Sequence, residues 1–430
     1  MQQPAFSQPW GKVETLSAGN CRELRRRAVF ECCKWDPQVE DVDTLAPFAI
    51  VLKRTAWEDL RRMAELLTAE TLALEKALAD RPELHRTLGI PRSICAVLAR
   101  RCSNDQGDRH LRVMRFDFHP TADGWRVTEV NSDVPGGYNE ASGLASLVAE
   151  HVRSGVPCGD PAAMIAEAVS RRVLPGAAVA LVHATAYTDD RQVMIFLGRK
   201  LEEHGLHPVL LAPDHIRWRN GGAVIETAWF RGPAGLVFRF FPAEWLPNLG
   251  RQAGWQSYFG GQQTPVCNPG TALLSQSKRW PLACEKIGLH LPRWRELTPQ
   301  TAEPREVNWR ANGDWVLKPA LGRVGEAIGL HGVTEERQWK AIRRSARWGS
   351  RHWVAQRRFT PTPLEVEGRV WHVCFGVYTI DGRAAGIYGR VAPQPLINHL
   401  AREVAVLVEP ERSSRVMSTV SPNHELVGAV

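Results

Sequence analysis

Residues 113–137, VMRFDFHPTADGWRVTEVNSDVPGG, set four polar side chains inside two otherwise apolar runs that meet at a sharp turn. Those four are Arg115, Asp117, Glu129 and Asn131. If Ala122, Asp123 and Gly124 form a three-residue hairpin loop with Gly124 left-handed, Asp117 lies opposite Glu129 and Arg115 opposite Asn131. Side chains alternate with period two along a strand, so all four share one face. Two carboxylates directly across a ladder repel unless something cationic lies between them. Asp117, Glu129 and Asn131 offer hard oxygen donors, which fit a divalent ion. Mg²⁺ completed by water and substrate phosphates fits best. The ordinary alternative is a hairpin with surface carboxylates, and a register slip of one residue would separate Asp117 from Glu129.

Other segments carry groups that suit a nucleotide. WVLKPALGRVGEAIG places Lys318 at a strand end, ahead of Gly322, Gly325 and Gly329. Glycines let backbone N–H groups approach phosphate oxygens, and the lysine adds a point charge. No GK[ST] ends the loop, so it is not a Walker A motif, and a structural turn is the alternative. Lys278 stands at a helix start in SQSKRWPLACEKIG, where a solvated lysine is the plain alternative. Ala355 and Gln356, in the strand HWVAQRRF, can face a purine edge or simply cross a buried sheet. Arg390 lies near the end of RAAGIYGRVA, whose small residues leave room for a bulky ligand.

Around these motifs the pattern alternates helix and strand. Thr55 and Glu58 read as a capping box, leading Trp57, Leu60, Ala64, Leu67, Leu74 and Leu78 at helical spacing. Residues 92–102 form a further helix-rich piece. Over residues 176–211 an apolar strand, a helix closed by Gly205 and a second strand make a βαβ unit, the mark of an open α/β domain. Strands are expected at 315–318 and 352–359, and a basic helix from Thr334 through Trp348. A long hairpin over 370–391 turns at Asp381 and Gly382, a pair suited to type I′.

Composition narrows the class. The 430 residues allow two or three domains and an ample core. With 44% hydrophobic and 23% charged residues, the chain reads as soluble and folded. A net charge of +8 permits attraction to phosphates without indicating nucleic acid. Nine cysteines without a CxxC, one adjacent pair being Cys32 and Cys33, read as reduced thiols of a cytoplasmic protein. No secretory leader or membrane span is expected from the pattern of apolar runs, so no membrane partner is expected either.

Taken in order, RFDF…TEVNSD, FRFFPAEWLP, SKRWPLA, VLKPALGRVGE and VYTIDGRAAGIYGRVA resemble glutathionylspermidine synthase and its acid–amine ligase relatives. The resemblance is densest over residues 111–147 and 237–397. It implies an α/β (α+β) fold: an ATP-grasp with circularly permuted motif order plus a pre-ATP-grasp open α/β domain. By that likeness residues 1–105 are a helical N-terminal region packing on the ATP-grasp core, and 106–160 carry the metal-binding hairpin. Residues 161–265 are then the pre-ATP-grasp domain and 266–430 the nucleotide-binding lobes.

The same resemblance implies ATP and Mg²⁺ as cofactors, with Asp117, Glu129 and Asn131 on the metal. It places Lys278 and Lys318 on the nucleotide phosphates, the loop Gly322, Arg323, Gly325 and Glu326 over them, and Gln356 near adenine. Arg115 and Arg390 would neutralise the transferring phosphoryl group. Ser132, Asp133 and Glu140 fall where contacts to the acid substrate are expected. The implied activity is a carboxylate–amine ligase working through an acyl phosphate, on a small-molecule or peptide carboxylate and an amine. The chain departs from the family at Ser277, where Asn is more frequent, and at Val391, where an acidic residue is usual. The amidase domain of some members has no counterpart in these residues.

Three alternatives remain at this level. A basic nucleic-acid-binding protein is one, resting on Arg337, Lys340, Arg343, Arg344 and Arg347 beside Trp339 and Trp348, with Arg22, Arg25, Arg26 and Arg27. A metal-dependent nuclease using Asp117 and Glu129 leaves the Lys318 loop unexplained. A catalytically inactive ATP-grasp relative acting as a partner protein is the third, and the complete set of charged groups speaks against it.

Overall fold

The two runs around the hairpin pair antiparallel as Val113–Thr121 and Gly124–Asn131, and they end a nine-stranded sheet. A computed structural model describes residues 8–35, 38–39, 42–100, 109–260, 263–309, 313–322, 325 and 327–411. From the far edge the sheet order is Trp10–Thr15, Leu45–Leu52, Arg402–Val408, Arg383–Ala392, Arg369–Ile380, then the hairpin. Alternation along its strands feeds two cores. Phe48, Ile50, Leu52, Phe116, Phe118 and Phe375 point to one, while Ala49, Val51, Val113, Tyr378 and Leu407 point to the other.

The helix Arg54–Ala79 covers the first core with Trp57, Leu60, Ala64, Leu67, Leu74 and Leu78, all buried, as the spacing predicts. Its start differs from the expectation. Lys53 is the N-cap and no side chain caps the helix, so Thr55 and Glu58 are its second and fifth residues and form no capping box.

A second sheet holds the βαβ unit. Ala178–His183 and His207–Leu211 pair in parallel, joined by the helix Thr188–Glu203, and Leu236–Phe240 and Val266–Cys267 extend the sheet in parallel. Gly205, with φ +71°, ends the helical segment as expected.

A third, antiparallel sheet runs Thr301–Ala302, Trp353–Arg357, Trp315–Pro319, Gly329–Leu330. The basic helix, Glu336–Trp348, packs Trp339, Ile342 and Ala346 against Trp315, Leu317, Trp353 and Ala355. It starts after Thr334, whose hydroxyl instead donates to the Ile328 carbonyl and accepts the Leu330 N–H. Asp381 and Gly382, at φ 46° and 83°, make the expected type I′ connection between Arg369–Ile380 and Arg383–Ala392. No helix of the described residues is long and apolar enough to cross a membrane.

Candidate active site

The hairpin turns in two residues, not the expected three. Thr121 pairs with Gly124, whose φ is +112°. The Thr121 hydroxyl donates to the Gly124 carbonyl at 2.7 Å and accepts the Asp123 N–H at 3.3 Å. From that turn Phe118 pairs with Val127, a register that continues to Asp117 opposite Thr128. A bulge corrects it. Thr128 and Glu129 together oppose Asp117, after which Phe116 pairs with Val130 and Arg115 with Asn131 as expected. Because the bulge breaks the alternation, Thr128 and Glu129 both line the same cavity as Asp117.

That cavity has a volume of about 820 Å³ and is lined by Arg115, Asp117, Glu129, Asn131, Lys318, Gly325, Gln356 and Arg390. Asp117 is its best-held group. Arg115 donates to its two oxygens at 2.8 and 3.1 Å, Arg390 to Oδ2 at 3.0 Å, and the Asn131 amide to Oδ2 at 3.3 Å. Burial alone would raise this carboxyl, but the Arg115 and Arg390 guanidiniums outweigh it and bring it down to about 2. Arg115 also donates to the Gly136 carbonyl at 2.9 Å. Both guanidiniums lie over the Tyr388 ring, Arg115 at 5.2 Å and Arg390 at 5.4 Å from its centroid.

Lys318, on the strand Trp315–Pro319, donates to Oε1 of Gln356 at 2.6 Å. Burial lowers its ammonium to about 8, against the pull of Glu129 and with the push of Lys278. Ala355, beside Gln356, is buried in the sheet, where it pairs with Leu317 and Ala302. Lys278 stands behind the cavity wall rather than on it, ahead of the helix Trp280–Ile287. It pairs with Glu129 at 2.9 Å and donates to the Gly322 carbonyl at 2.7 Å, tying the glycine loop to the hairpin. Burial would raise Glu129, and the Lys278 ammonium holds it below the usual carboxylate range. Gly325, at φ +69°, approaches the Ile397 carbonyl so closely that a Cβ there would sit 2.4 Å away. Gly322 does not line the cavity, and Arg323 and Glu326 lie outside the described residues.

Ser132 and Asp133 are not on the cavity wall. Ser132 bonds with Gln276, Ala272 and Ser275. Asp133, fully buried, pairs with Arg239 at 2.5 Å and accepts the Ala243 N–H, so it serves the joint with the second sheet, while Ser132 fixes the hairpin to the helix Leu273–Gln276. Glu140 does line the cavity. So do several residues the motifs did not single out: His119, Cys374, Tyr388, Lys34 and Glu403. His119 was legible by alternation, two residues past Asp117 on its strand. Its burial holds the imidazole down at about 4, hence neutral.

The donor set can be tested against Mg²⁺. Among the described residues no group of three or more His, Cys, Asp and Glu side chains is gathered for a metal. Two carboxylates with an amide, flanked by lysines and arginines, are instead the set for an ion that keeps water and shares phosphate oxygens. On that chemistry the residues fit.

Residues 43–409 match the family described as glutathionylspermidine synthase preATP-grasp. No protein with a curated description matches the sequence. Among solved structures the chain is similar to a glutathione synthetase-like effector from Globodera pallida in apo form. Identity is 12% and the TM-score 0.60, over 92% of this chain and 100% of that one. A putative γ-glutamylcysteine synthetase from Methylobacillus flagellatus is 14% identical with a TM-score of 0.40, covering 78% of this chain and 86% of that one. A D-alanyl-alanine synthetase A from Vibrio cholerae is 9% identical with a TM-score of 0.31, over 55% and 88%. The first of these likenesses shows a shared fold. The motif order, the α/β architecture and a match that runs from before the hairpin to the last described strand agree: the chain belongs to the glutathionylspermidine synthase preATP-grasp family.

Proposed function

We propose that this protein is an ATP- and Mg²⁺-dependent carboxylate–amine ligase of the ATP-grasp type, acting in the cytoplasm. It joins a small-molecule or peptide carboxylate to an amine through an acyl phosphate. Family membership supports ATP-dependent amide formation. The observation that carries the finer reading is the charge arrangement of the cavity. Around the hairpin carboxylates Asp117 and Glu129, Arg115, Arg390 and Lys318 on the wall and Lys278 behind it make a local surplus of cations that suits a phosphate-bearing anion.

Phosphoryl transfer to a carboxylate brings anions together, so the site must offset their repulsion. Asp117, Glu129 and Asn131 would hold Mg²⁺, which when bound supplies charge neutralisation on the phosphate oxygens. Lys318 binds the phosphates, and Lys278 fixes the loop at Gly322 to the hairpin. Arg115 and Arg390, both held over the Tyr388 ring, neutralise the oxygens of the transferring group. Gln356 orients Lys318 and lies on the wall where a base would sit. Gly325 and the neighbouring 395–399 segment line the cavity and would shield the acyl phosphate from water.

The test is ADP release with Mg²⁺ over a panel of amino acids, thiol peptides and polyamines, followed by mass analysis of the product. The expected result is ADP formation that needs both a carboxylate and an amine, with a product lighter than their sum by one water. ATP turnover indifferent to every carboxylate would contradict the assignment.

A further inference from the structure

A second group of charged side chains lines the same cavity and takes no part in the phosphoryl chemistry above. Lys34 donates to Oε1 of Glu140 at 3.0 Å and to Oε1 of Glu403 at 2.9 Å. All three are nine-tenths buried, at 7%, 7% and 8% exposure. Each carboxylate keeps its other oxygen, Oε2, buried without a hydrogen-bond partner, and the Thr44 hydroxyl on the same wall has none either. A buried polar atom left without a partner is uncommon and calls for a missing ligand or proton.

Tyr388 joins this cluster to the phosphoryl site. Its ring lies beneath Arg115 and Arg390, and its hydroxyl donates to Oε1 of Glu403 at 3.3 Å. Glu403 is itself the strand partner of Arg390. The groups facing Glu403 are therefore Lys34, Glu140, Tyr388 and Arg390. Two buried carboxylates around one ammonium hold a proton more tightly than one exposed carboxylate does. Burial, then the charge of Glu140, raise Glu403 to about 8 against the pull of Lys34.

An acceptor amine arrives as an ammonium, with its lone pair occupied. It must lose a proton before it can attack. We propose that Glu403 is the proton acceptor of the ligation, its unpartnered Oε2 taking the proton of the incoming ammonium, with Glu140 and Lys34 as positioning residues. The N–H bond breaks and the Oε2–H bond forms. The freed lone pair attacks the acyl carbon, the C–N bond forms, and the bond from carbon to the phosphate oxygen breaks with its electron pair leaving on phosphate. The second nitrogen proton departs with that phosphate, and Glu403 releases its own proton to solvent when the product leaves.

This inference rests on the ligase reading, and one experiment separates the two. Wild type and Glu403→Gln are given Mg²⁺, ATP and the carboxylate that supports ADP release. The acceptor is hydroxylamine, neutral near pH 7, or one of methylamine, n-butylamine and 1,4-diaminobutane. Glu403→Gln should form hydroxamate within about threefold of wild type yet couple alkylamines at least about a hundredfold more slowly, the usual worth of a positioned base. Glu140→Gln removes the like charge, so the acid limb of amine coupling should move down by roughly one pH unit, a test that stands even if Glu403→Gln does not fold. The proposal is overturned if Glu403→Gln couples alkylamines at the wild-type rate, or loses hydroxamate and amide equally. It is equally overturned if the Glu140→Gln profile does not move, or if wild type forms hydroxamate but couples none of the amines. Wild type that releases no ADP with any carboxylate overturns the ligase reading itself.

Discussion

Arg390 reaches Oδ2 of Asp117 at 3.0 Å although a whole strand, Arg369–Ile380, lies between theirs. On that strand Gly376, the partner of both Asp117 and Tyr388, stands between Cys374, the partner of Arg390, and Tyr378, the partner of Arg115. Asp117 therefore anchors two arginines from opposite sides of a glycine. Replacing it with Asn leaves both guanidiniums buried with only a neutral partner. Asp117→Asn is expected to lose ATP turnover and also about 3 kcal/mol of stability, as buried ion pairs do when one member is removed. Urea unfolding and ADP release measured on one preparation check both effects.

Gly376→Ala tests the same geometry more gently. A Cβ at this position would come within 2.7 Å of Cδ and 2.9 Å of Nε of Arg115, so that side chain must shift. Arg115 yields and swings off Asp117 while the sheet stays intact. The expected result is a loss of roughly tenfold in turnover from misplacing one phosphoryl contact, with the circular dichroism spectrum unchanged.

Lys318 sets a pH dependence whose direction follows from its surroundings. Its ammonium, lowered to about 8, is present below that pH and lost as pH rises through it. Because the unfolded chain binds this proton more tightly, Lys318's contribution to stability increases as pH climbs from the folded towards the unfolded value. A bound triphosphate draws the proton back. ATP binding above pH 8 should therefore take up a proton, visible as a binding heat that varies with buffer ionisation, and Lys318→Met should abolish that variation.

Metal dependence is checked without turnover. ATP should raise the melting temperature only when Mg²⁺ is present, and a chelator should remove the shift. Glu129→Gln should weaken it while leaving the ligand-free melting temperature within a few degrees, since Glu129 is partly exposed and its Lys278 partner keeps the Gly322 carbonyl.

How much of this could be read from the residues alone depended on range. Alternation put Arg115, Asp117 and Asn131 on one wall, and the Asp381–Gly382 turn and the βαβ unit were legible because their signals are local. The bulge at Thr128 and Glu129 was not legible: a two-residue turn shifts the register one way and the bulge shifts it back, so the pairing of Arg115 with Asn131 came out right from a wrong loop length. The missing capping box has the same character, since Lys53 starts the helix while bonded to the Pro9 carbonyl of a distant strand end. Lys34 and Glu403 meet across 369 positions of sequence, and no spacing rule joins residues so far apart.

On the proposed function, a carboxylate oxygen is phosphorylated in the cavity beside Asp117 and Glu129. Supplying the carboxylate substrate labelled with ¹⁸O in both oxygens, with Mg²⁺, ATP and amine, and weighing the released phosphate tests it directly. Each phosphate formed should carry one ¹⁸O, at a rate equal to amide formation. Amide formed alongside unlabelled phosphate would contradict it.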